Sequence, residues 1–358
     1  MACMIRAVAR RLSRQRFGVR FSSISSVVYE RYGNPEEVLQ LQTEDAIQPK
    51  ADEIAFQMLA APINPADINM IQGTYGMKAT FPAIAGNEGV GRITAIGSSV
   101  TSKIKIGDHF VPNRPFWGTW RSGGVCPAND ILIVPNDISP VSMSMMFVNP
   151  TTAYRMLEDF ETLNEGDVVI QNGSNSGVGQ AVIQIAAARN LKTINVIRAR
   201  PDLIEITDYL TSLGATEVVT EEFAQSRKLR ELIQTMGKPK LALNCVGGKS
   251  ATALLQNLQQ SGTMVTYGGM SRRPISVGTG MMIFSDLKLC GYWQSRWNDS
   301  NANSPALTKM LEDLYALVRA DKLKMPRHEP RALSEFQEAV KKAWEPMTTT
   351  KQVFSMVR

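Results

Sequence analysis

The chain has 358 residues, 44% of them hydrophobic and 20% charged, enough for two globular domains each with its own core. No apolar run is long and uninterrupted enough to span a bilayer. The formal charge of +6 has one source: residues 1–29 hold six arginines and no acid, and the rest balances 33 basic against 33 acidic residues, so composition gives no sign of nucleic-acid binding.

The first stretch is Arg-rich and Ser-rich, with Met4, Ile5, Val8, Leu12 and Phe17 set between Arg6, Arg10, Arg11, Arg14, Arg16 and Arg20. It reads as a mitochondrial transit peptide over residues 1–22, cut near Arg20–Ser23 and implying a matrix location. An unstructured basic tail would have the same composition. The arginines break up the apolar residues, which argues against a secretory signal. Cys3, Cys126, Cys245 and Cys290 are scattered, with no C-x-x-C pair, so no disulfide framework is expected. His109 and His328 are the only histidines and no ligand cluster surrounds them, so a metal-free protein is expected.

Short segments over 26–31, 38–42 and 53–60 alternate or are rich in β-formers, as strands are. Pro62–Asp67 reads as a turn opening a short helix, with Asn64 as cap and Pro65 in the first turn. Tyr75 follows in a loop between Thr74 and Gly76. Residues 89–97 and 104–112 read as further strands, and Gly107-Asp108 as a tight turn. Asn149-Pro150 precedes the second half of the chain.

That second half alternates strand and helix. The apolar run 168–170 is a buried strand, Asn172–Gly179 a polar turn with glycines, and 177–189 a helix. Strand, glycine turn and helix form the first half of a dinucleotide-binding unit, in which a pyrophosphate meets the unpaired N–H groups and partial positive charge of the helix N-terminus. Asn175, Ser176, Gly177, Val178 and Gly179 make up the candidate cradle. Ser174 and Ser176 stand where the fingerprint has its first two glycines, and Gly179 holds the third. The next strand, 193–197, ends in Arg198-Ala-Arg200. An acid there would hold the ribose 2′-hydroxyl of NAD, whereas a guanidinium suits the 2′-phosphate of NADP. NADPH is therefore the expected cofactor, against the plain alternative of a solvated strand end. A helix from Pro201, strands over 217–220, 241–245, 263–267 and 287–293, and a helical tail from about Ser304 follow. The chain closes on a strand-like segment, 352–357.

Several stretches carry a family resemblance: Asn64-Pro-Ala-Asp67 running on to Tyr75, Gly86-Asn-Glu-Gly89, Gly107-Asp108, Gln171–Gln180, Leu241–Lys249 and Gly262–Met270. In this order the chain resembles the medium-chain dehydrogenases/reductases, and within them most closely the mitochondrial trans-2-enoyl-CoA reductases, or enoyl-thioester reductases. Zinc-dependent members have Gly-His-Glu where this chain has Gly86-Asn87-Glu88, which agrees with the metal-free expectation. The resemblance implies an α/β protein. A GroES-like β-rich catalytic domain (23–150 and 304–358) is joined to a Rossmann NADP-binding domain, a doubly wound parallel sheet (151–303). It also implies a homodimer, paired through the edge strand.

By resemblance, Tyr75, which sequence alone would read as a packing residue, is the proposed proton donor. It either stabilises the enolate oxygen or protonates the α-carbon, with water able to share the task. Asn149, again by resemblance, touches the cofactor near the nicotinamide, or else is a cap ahead of Pro150. Tyr267, Gly268, Gly269 and Met270 end a Rossmann strand, and since ligands bind outside the carboxyl ends of such strands they are placed for the nicotinamide end. Tyr292, Trp293 and Gln294 lie over the cofactor, or else form an aromatic edge strand. Lys351 is a weaker transfer, since most lysines are solvated. Asn64 and Asp67 read as turn and cap residues. The implied reaction is NADPH-dependent reduction of a trans-2-enoyl thioester, on acyl carrier protein or CoA, in mitochondrial fatty-acid synthesis. Two alternatives stay open from sequence: a quinone or alkenal reductase on the same fold, and a non-catalytic NADPH-binding interaction protein.

Overall fold

The computed structural model describes residues 23–101 and 103–356, so the basic leader lies outside the described residues. The first half runs β1 (Ser23–Tyr29), α1 (Pro35–Val38), β2 (Gln40–Asp45), β3 (Glu53–Pro62), α2 (Pro65–Ile71), β4 (Ala83–Ile84), β5 (Val90–Ile96), β6 (His109–Pro112), β7 (Gly123–Pro127), β8 (Ile131–Val134) and α3 (Pro140–Ser144). Next come α4 (Asn149–Asp159), β9 (Val168–Asn172), α5 (Gly177–Ala188), β10 (Lys192–Ile197), α6 (Leu203–Ser212), β11 (Glu217–Thr220), α7 (Glu221–Ala224) and α8 (Arg227–Met236). They are followed by β12 (Leu241–Asn244), α9 (Gly248–Leu255), β13 (Thr263–Thr266), α10 (Thr279–Phe284), β14 (Lys288–Gly291) and α11 (Gln294–Asn301). The last part is α12 (Pro305–Arg319), β15 (His328–Arg331), α13 (Phe336–Trp344) and β16 (Lys351–Ser355).

The second half forms a six-stranded sheet in the order β11-β10-β9-β12-β13-β14, every pair parallel. This is the doubly wound order, and the strand order reverses at β9, which opens a crevice beyond the strand ends. Alternate residues of these strands go to opposite faces. Val169, Leu241, Leu243 and Val265 pack with Ala181, Val182 and Ile185 of α5. Val168, Ile170, Ala242 and Met264 pack with Leu229, Ile233 and Leu254 on the other face. Full burial of each such side chain is worth about 1.5–3 kcal/mol, so a sheet covered on both sides reads in sequence as continuous apolar runs.

The strands of the first half form a three-stranded sheet, β2-β1-β4, and a seven-stranded one, β15-β16-β3-β5-β6-β8 with β7 also on β3. The chain end returns here, since β16 pairs antiparallel with β3 at Val353↔Pro62. Helix α12, before β15 and α13, lies elsewhere: Met310, Leu311 and Leu314 join the core beside α4 and α5, and the Tyr154 hydroxyl donates to Asp313 at 2.5 Å.

Several strands differ from the sequence reading: β1 runs 23–29, β16 runs 351–355, and β7, β8 and β15 are additional. Val38 ends a helical turn instead of opening a strand, because Asn34 caps it and Pro35 starts it, so β2 begins at Gln40. Residues 104–108 form a turn around Gly107, whose φ of +96° favours glycine. The last parallel strand spans only 288–291.

The nucleotide turn contains a close backbone approach at Gly179, where a Cβ would sit 2.5–2.7 Å from the backbone of Ser174. Replacing Gly179 by alanine is therefore expected to lower stability by about 1–3 kcal/mol, seen as a lower melting temperature. Gly269→Ala, where a Cβ would meet nothing within 4 Å, should leave melting unchanged.

Candidate active site

A cleft of about 990 Å³ separates the two halves. Tyr75, Asn87, Glu88 and Val148 line it on one side, and Val178, Tyr267, Gly268, Gly269, Met270, Tyr292, Trp293 and Gln294 on the other. Most of the latter group follows β13 and β14, at the carboxyl ends where ligands of doubly wound sheets bind.

Tyr75 is held by a local fold. After α2 the chain turns through Gly73, at φ +71°, and the N–H groups of Thr74 and Tyr75 donate back to Asn69 O at 2.9 and 3.2 Å. The tyrosine oxygen accepts from Trp293 Nε1 at 2.8 Å, and the two rings meet edge to face at 6.0 Å. Trp293 is an N–H donor only. The phenolic proton of Tyr75 is therefore not used in this contact and can point into the cleft.

The nucleotide turn is built from side-chain bonds. Ser176 caps α5, its Oγ accepting from Gly179 N–H at 3.2 Å. Ser174 is buried and ties the turn to Val196 O and Gln171 O at 3.1 and 3.2 Å. Beneath it, amides run across the strand ends. Gln171 donates to Asn195 at 2.8 Å and to Gly179 O at 3.0 Å, Asn172 donates to Asn244 at 2.8 Å, and Asn244 donates to Thr266 at 3.2 Å. Asn244 Oδ1 also receives Gly247 N–H at 3.0 Å.

At this end the buried Tyr267 hydroxyl lies against the Cys245 thiol and Ser176, and Asn149 Nδ2 and Gln171 Oε1 are buried without a hydrogen-bond partner among the described residues. Such groups cost free energy unless a ligand or water satisfies them. Burial, with the Cys245 thiol next to it, pushes the Tyr267 pKa well above the ordinary tyrosine value. A Cβ at Gly177 would lie 2.8 Å from Asn149 Nδ2, so the glycine keeps this space open. A capped helix N-terminus, a turn open at Gly177 and the unpaired buried Asn149 amide fit a nicotinamide dinucleotide.

The remaining candidates lie apart from the cleft. Arg198 is exposed just past β10. Arg200 grips Asp202 at 2.5 and 3.0 Å and donates to Met347 O at 2.7 Å. Lys351 is not a solvated lysine. Its Nζ donates to Asn64 Oδ1 at 2.6 Å, and burial holds its pKa below the usual lysine range.

That lysine leads to a group the sequence reading missed. Asp67 caps α2 as expected, its Oδ2 accepting from Asn64 N–H at 2.8 Å, and its Oδ1 accepts from Asn87 Nδ2 at 2.8 Å. The Asn64 side chain does not cap. It sits between Lys351 and Glu88, donating to Glu88 Oε2 at 2.8 Å. Glu88 Oε1 accepts from Val148 N–H, again at 2.8 Å. Glu88 is 3% exposed, and burial raises its pKa to about 7 against the opposing pull of Lys351, Asn64 and Val148. Asp67 is also raised by burial. The signal in the sequence was a glutamate set in the otherwise uncharged stretch 79–91. Among the described residues, no group of three or more His, Cys, Asp or Glu is arranged to hold a metal.

Comparison with known proteins gives two domain matches: the alcohol dehydrogenase GroES-like domain over residues 50–130, and the zinc-binding dehydrogenase domain over 177–311. The mitochondrial enoyl-(acyl-carrier-protein) reductase of Rattus norvegicus is 47% identical over 335 residues, covering 94% of this chain and 89% of the relative. The Homo sapiens protein of the same name is 45% identical over 333 residues, covering 93% and 89%. Among solved structures, an Etr1p/NADP/crotonyl-CoA complex superposes with a TM-score of 0.86 at 32% identity, covering 93% of this chain and 99% of that one. The mitochondrial 2-enoyl thioester reductase Etr1p/Etr2p heterodimer of Candida tropicalis gives 0.85, with the same identity and coverage. An Escherichia coli quinone oxidoreductase, at 22% identity and TM-score 0.77, shares the fold. With relatives this similar over nearly its whole length, the chain belongs to the mitochondrial enoyl-(acyl-carrier-protein) reductase family.

Proposed function

We propose that this chain is a mitochondrial NADPH-dependent reductase of trans-2-enoyl thioesters, carried on acyl carrier protein or CoA, that yields saturated acyl thioesters for fatty-acid synthesis. The observation that carries the reading is the Tyr75 hydroxyl, held by Trp293 Nε1 in a cleft that opens onto Tyr267–Met270. When bound there, NADPH would supply the hydride for the β-carbon of the enoyl group. Negative charge then develops on the thioester oxygen, and the α-carbon needs a proton. The Tyr75 hydroxyl would either donate a hydrogen bond to this oxygen while water protonates the α-carbon, or pass its own proton to the α-carbon, its phenolate then regaining a proton from water. Trp293 keeps the phenol oriented.

On the cofactor side, Asn175–Gly179 cradles the pyrophosphate. The unpaired Nδ2 of Asn149, with Tyr267, Gly268, Gly269 and Met270, borders the nicotinamide, and Tyr292, Trp293 and Gln294 cover it. Arg198 and Arg200 take the 2′-phosphate, with Arg200 exchanging its bonds to Asp202 and Met347 for the phosphate. Lys351 acts through Asn64.

We further propose a homodimer formed along β14. This strand leaves one edge of the parallel sheet unpaired among the described residues, with Leu289 40% exposed. Beside it in sequence, α10 exposes Met282, Ile283 and Phe284, the last by 77%. An open strand edge with adjoining apolar surface favours association.

Three measurements test these assignments. For Tyr75→Phe, NADPH oxidation with trans-2-hexenoyl-CoA should fall about 100-fold or more while NADPH still binds; unchanged turnover would remove Tyr75 as the donor. Arg198→Ala combined with Arg200→Ala should weaken NADPH binding about 10- to 100-fold, the scale of lost charge-assisted bonds, and barely alter NADH binding. Equal losses for both cofactors would refute the 2′-phosphate assignment. Phe284→Asp should convert the dimer to a 39.5 kDa monomer in light scattering; a parent that is already monomeric would refute the edge pairing.

A further inference from the structure

The charged group under the cleft joins parts of the chain that are remote in sequence. Lys351 is the first residue of β16, Asn64 and Asp67 lie at the start of α2, and Val148 is the residue before α4. Their hydrogen bonds run in one direction. Lys351 has only donors, so it fixes Asn64 with Oδ1 toward the ammonium and Nδ2 toward Glu88. When ionised, the Glu88 carboxylate has only acceptors, and it spends one oxygen on Asn64 and the other on Val148 N–H. The second contact puts negative charge at the N-terminus of an 11-residue helix, where the dipole favours it.

We propose that Glu88 is a positioning residue for the reaction. It sets the distance between the helix that leads to Tyr75 and the residue pair Val148–Asn149, with Lys351 locking the intervening Asn64. α2 ends four residues before Tyr75, and Asn149 directly follows Val148, so one carboxylate ties the element bearing the proton donor to the element bearing the cofactor contact. Stability alone does not call for this arrangement, because buried ion pairs are often no better than well-packed apolar residues. What a carboxylate does and an apolar side chain cannot is accept from two remote donors at once and fix their separation. Its burial among Asn64, Lys351 and Val148 leaves it little room to turn. Asp67 braces the same asparagine from its backbone N–H.

The proposal rests on the enoyl-thioester reductase reading. The test compares the full chain with Glu88→Gln and with Glu88→Gln combined with Lys351→Met, measuring turnover of trans-2-hexenoyl-CoA, NADPH affinity, melting temperature and the rate ratio between NADPH and 4-deuterated NADPH. In the single variant the introduced glutamine offers one acceptor to two donors, so its amide NH2 meets either Asn64 Nδ2 or Val148 N–H, donor against donor. Turnover should fall 10- to 100-fold, NADPH affinity should change less than threefold, and the isotope ratio should rise as hydride transfer slows. In the double variant Asn64 is free to reverse its amide and accept from the introduced glutamine amide, so turnover should recover at least threefold over the single variant. Such non-additivity marks a shared network.

Turnover per folded molecule equal to the parent's, with only the melting temperature lowered, would make Glu88 a structural staple and overturn the proposal. A double variant worse than the single, with weakened NADPH binding, would place Lys351 on the cofactor and also overturn it. A parent that binds NADPH but does not turn over the thioester would defeat the reductase reading itself, and the positioning role with it.

Discussion

The cofactor end of this protein depends on one close approach, helix α5 against the end of β9. The backbone of Gly179 lies where any β-carbon would strike Ser174. Only with this contact closed does the N-terminus of α5 face the crevice. Amide side chains that are entirely buried hold the strand ends in register beneath it: Gln171 and Asn195, then Asn172 and Asn244. Unpaired, each would cost several kcal/mol; paired, they fix geometry more sharply than apolar contacts. A parallel sheet is otherwise an apolar sandwich, and its polar residues collect where the chain must hold loops in place.

Across the cleft, rigidity has a different source. Tyr75 stands in a loop, and loops are the least constrained part of a fold. Here the loop folds back onto Asn69 and is met by the Trp293 indole. The donor-only chemistry of the indole determines which way the phenol proton can go. The helix leading to this loop is in turn anchored at its start by Asp67, Asn64 and Glu88. Burial works against the charge on each of these ionisable groups, raising both carboxylates and lowering Lys351. Their hydrogen bonds offset that cost only in the geometry seen, so a cluster that contributes little to net stability can still impose one arrangement.

Much of the fold was legible in the sequence because it follows from local rules. Apolar runs of strand length, a turn bearing glycines and an alanine-rich helix identify the nucleotide-binding unit, and the order of later strands and helices extends it. The boundaries that shifted did so for local reasons as well: a proline and an asparagine cap at residues 34–35, and a positive φ at Gly107.

The sequence by itself determined the doubly wound half, its glycine turn, the arginines after β10 and, through family resemblance, the interest of Tyr75. Each of these is carried by neighbouring residues, and chain geometry links neighbours directly. Only the tertiary structure decided the partners of long polar side chains. Lys351 reaches an asparagine 287 positions away, and Trp293 a tyrosine 218 positions away. The cap that Asn64 promised went instead to a buried carboxylate and an ammonium. No periodicity encodes such pairs, because hydrogen-bond direction and burial arise only once the two halves of the chain close on each other.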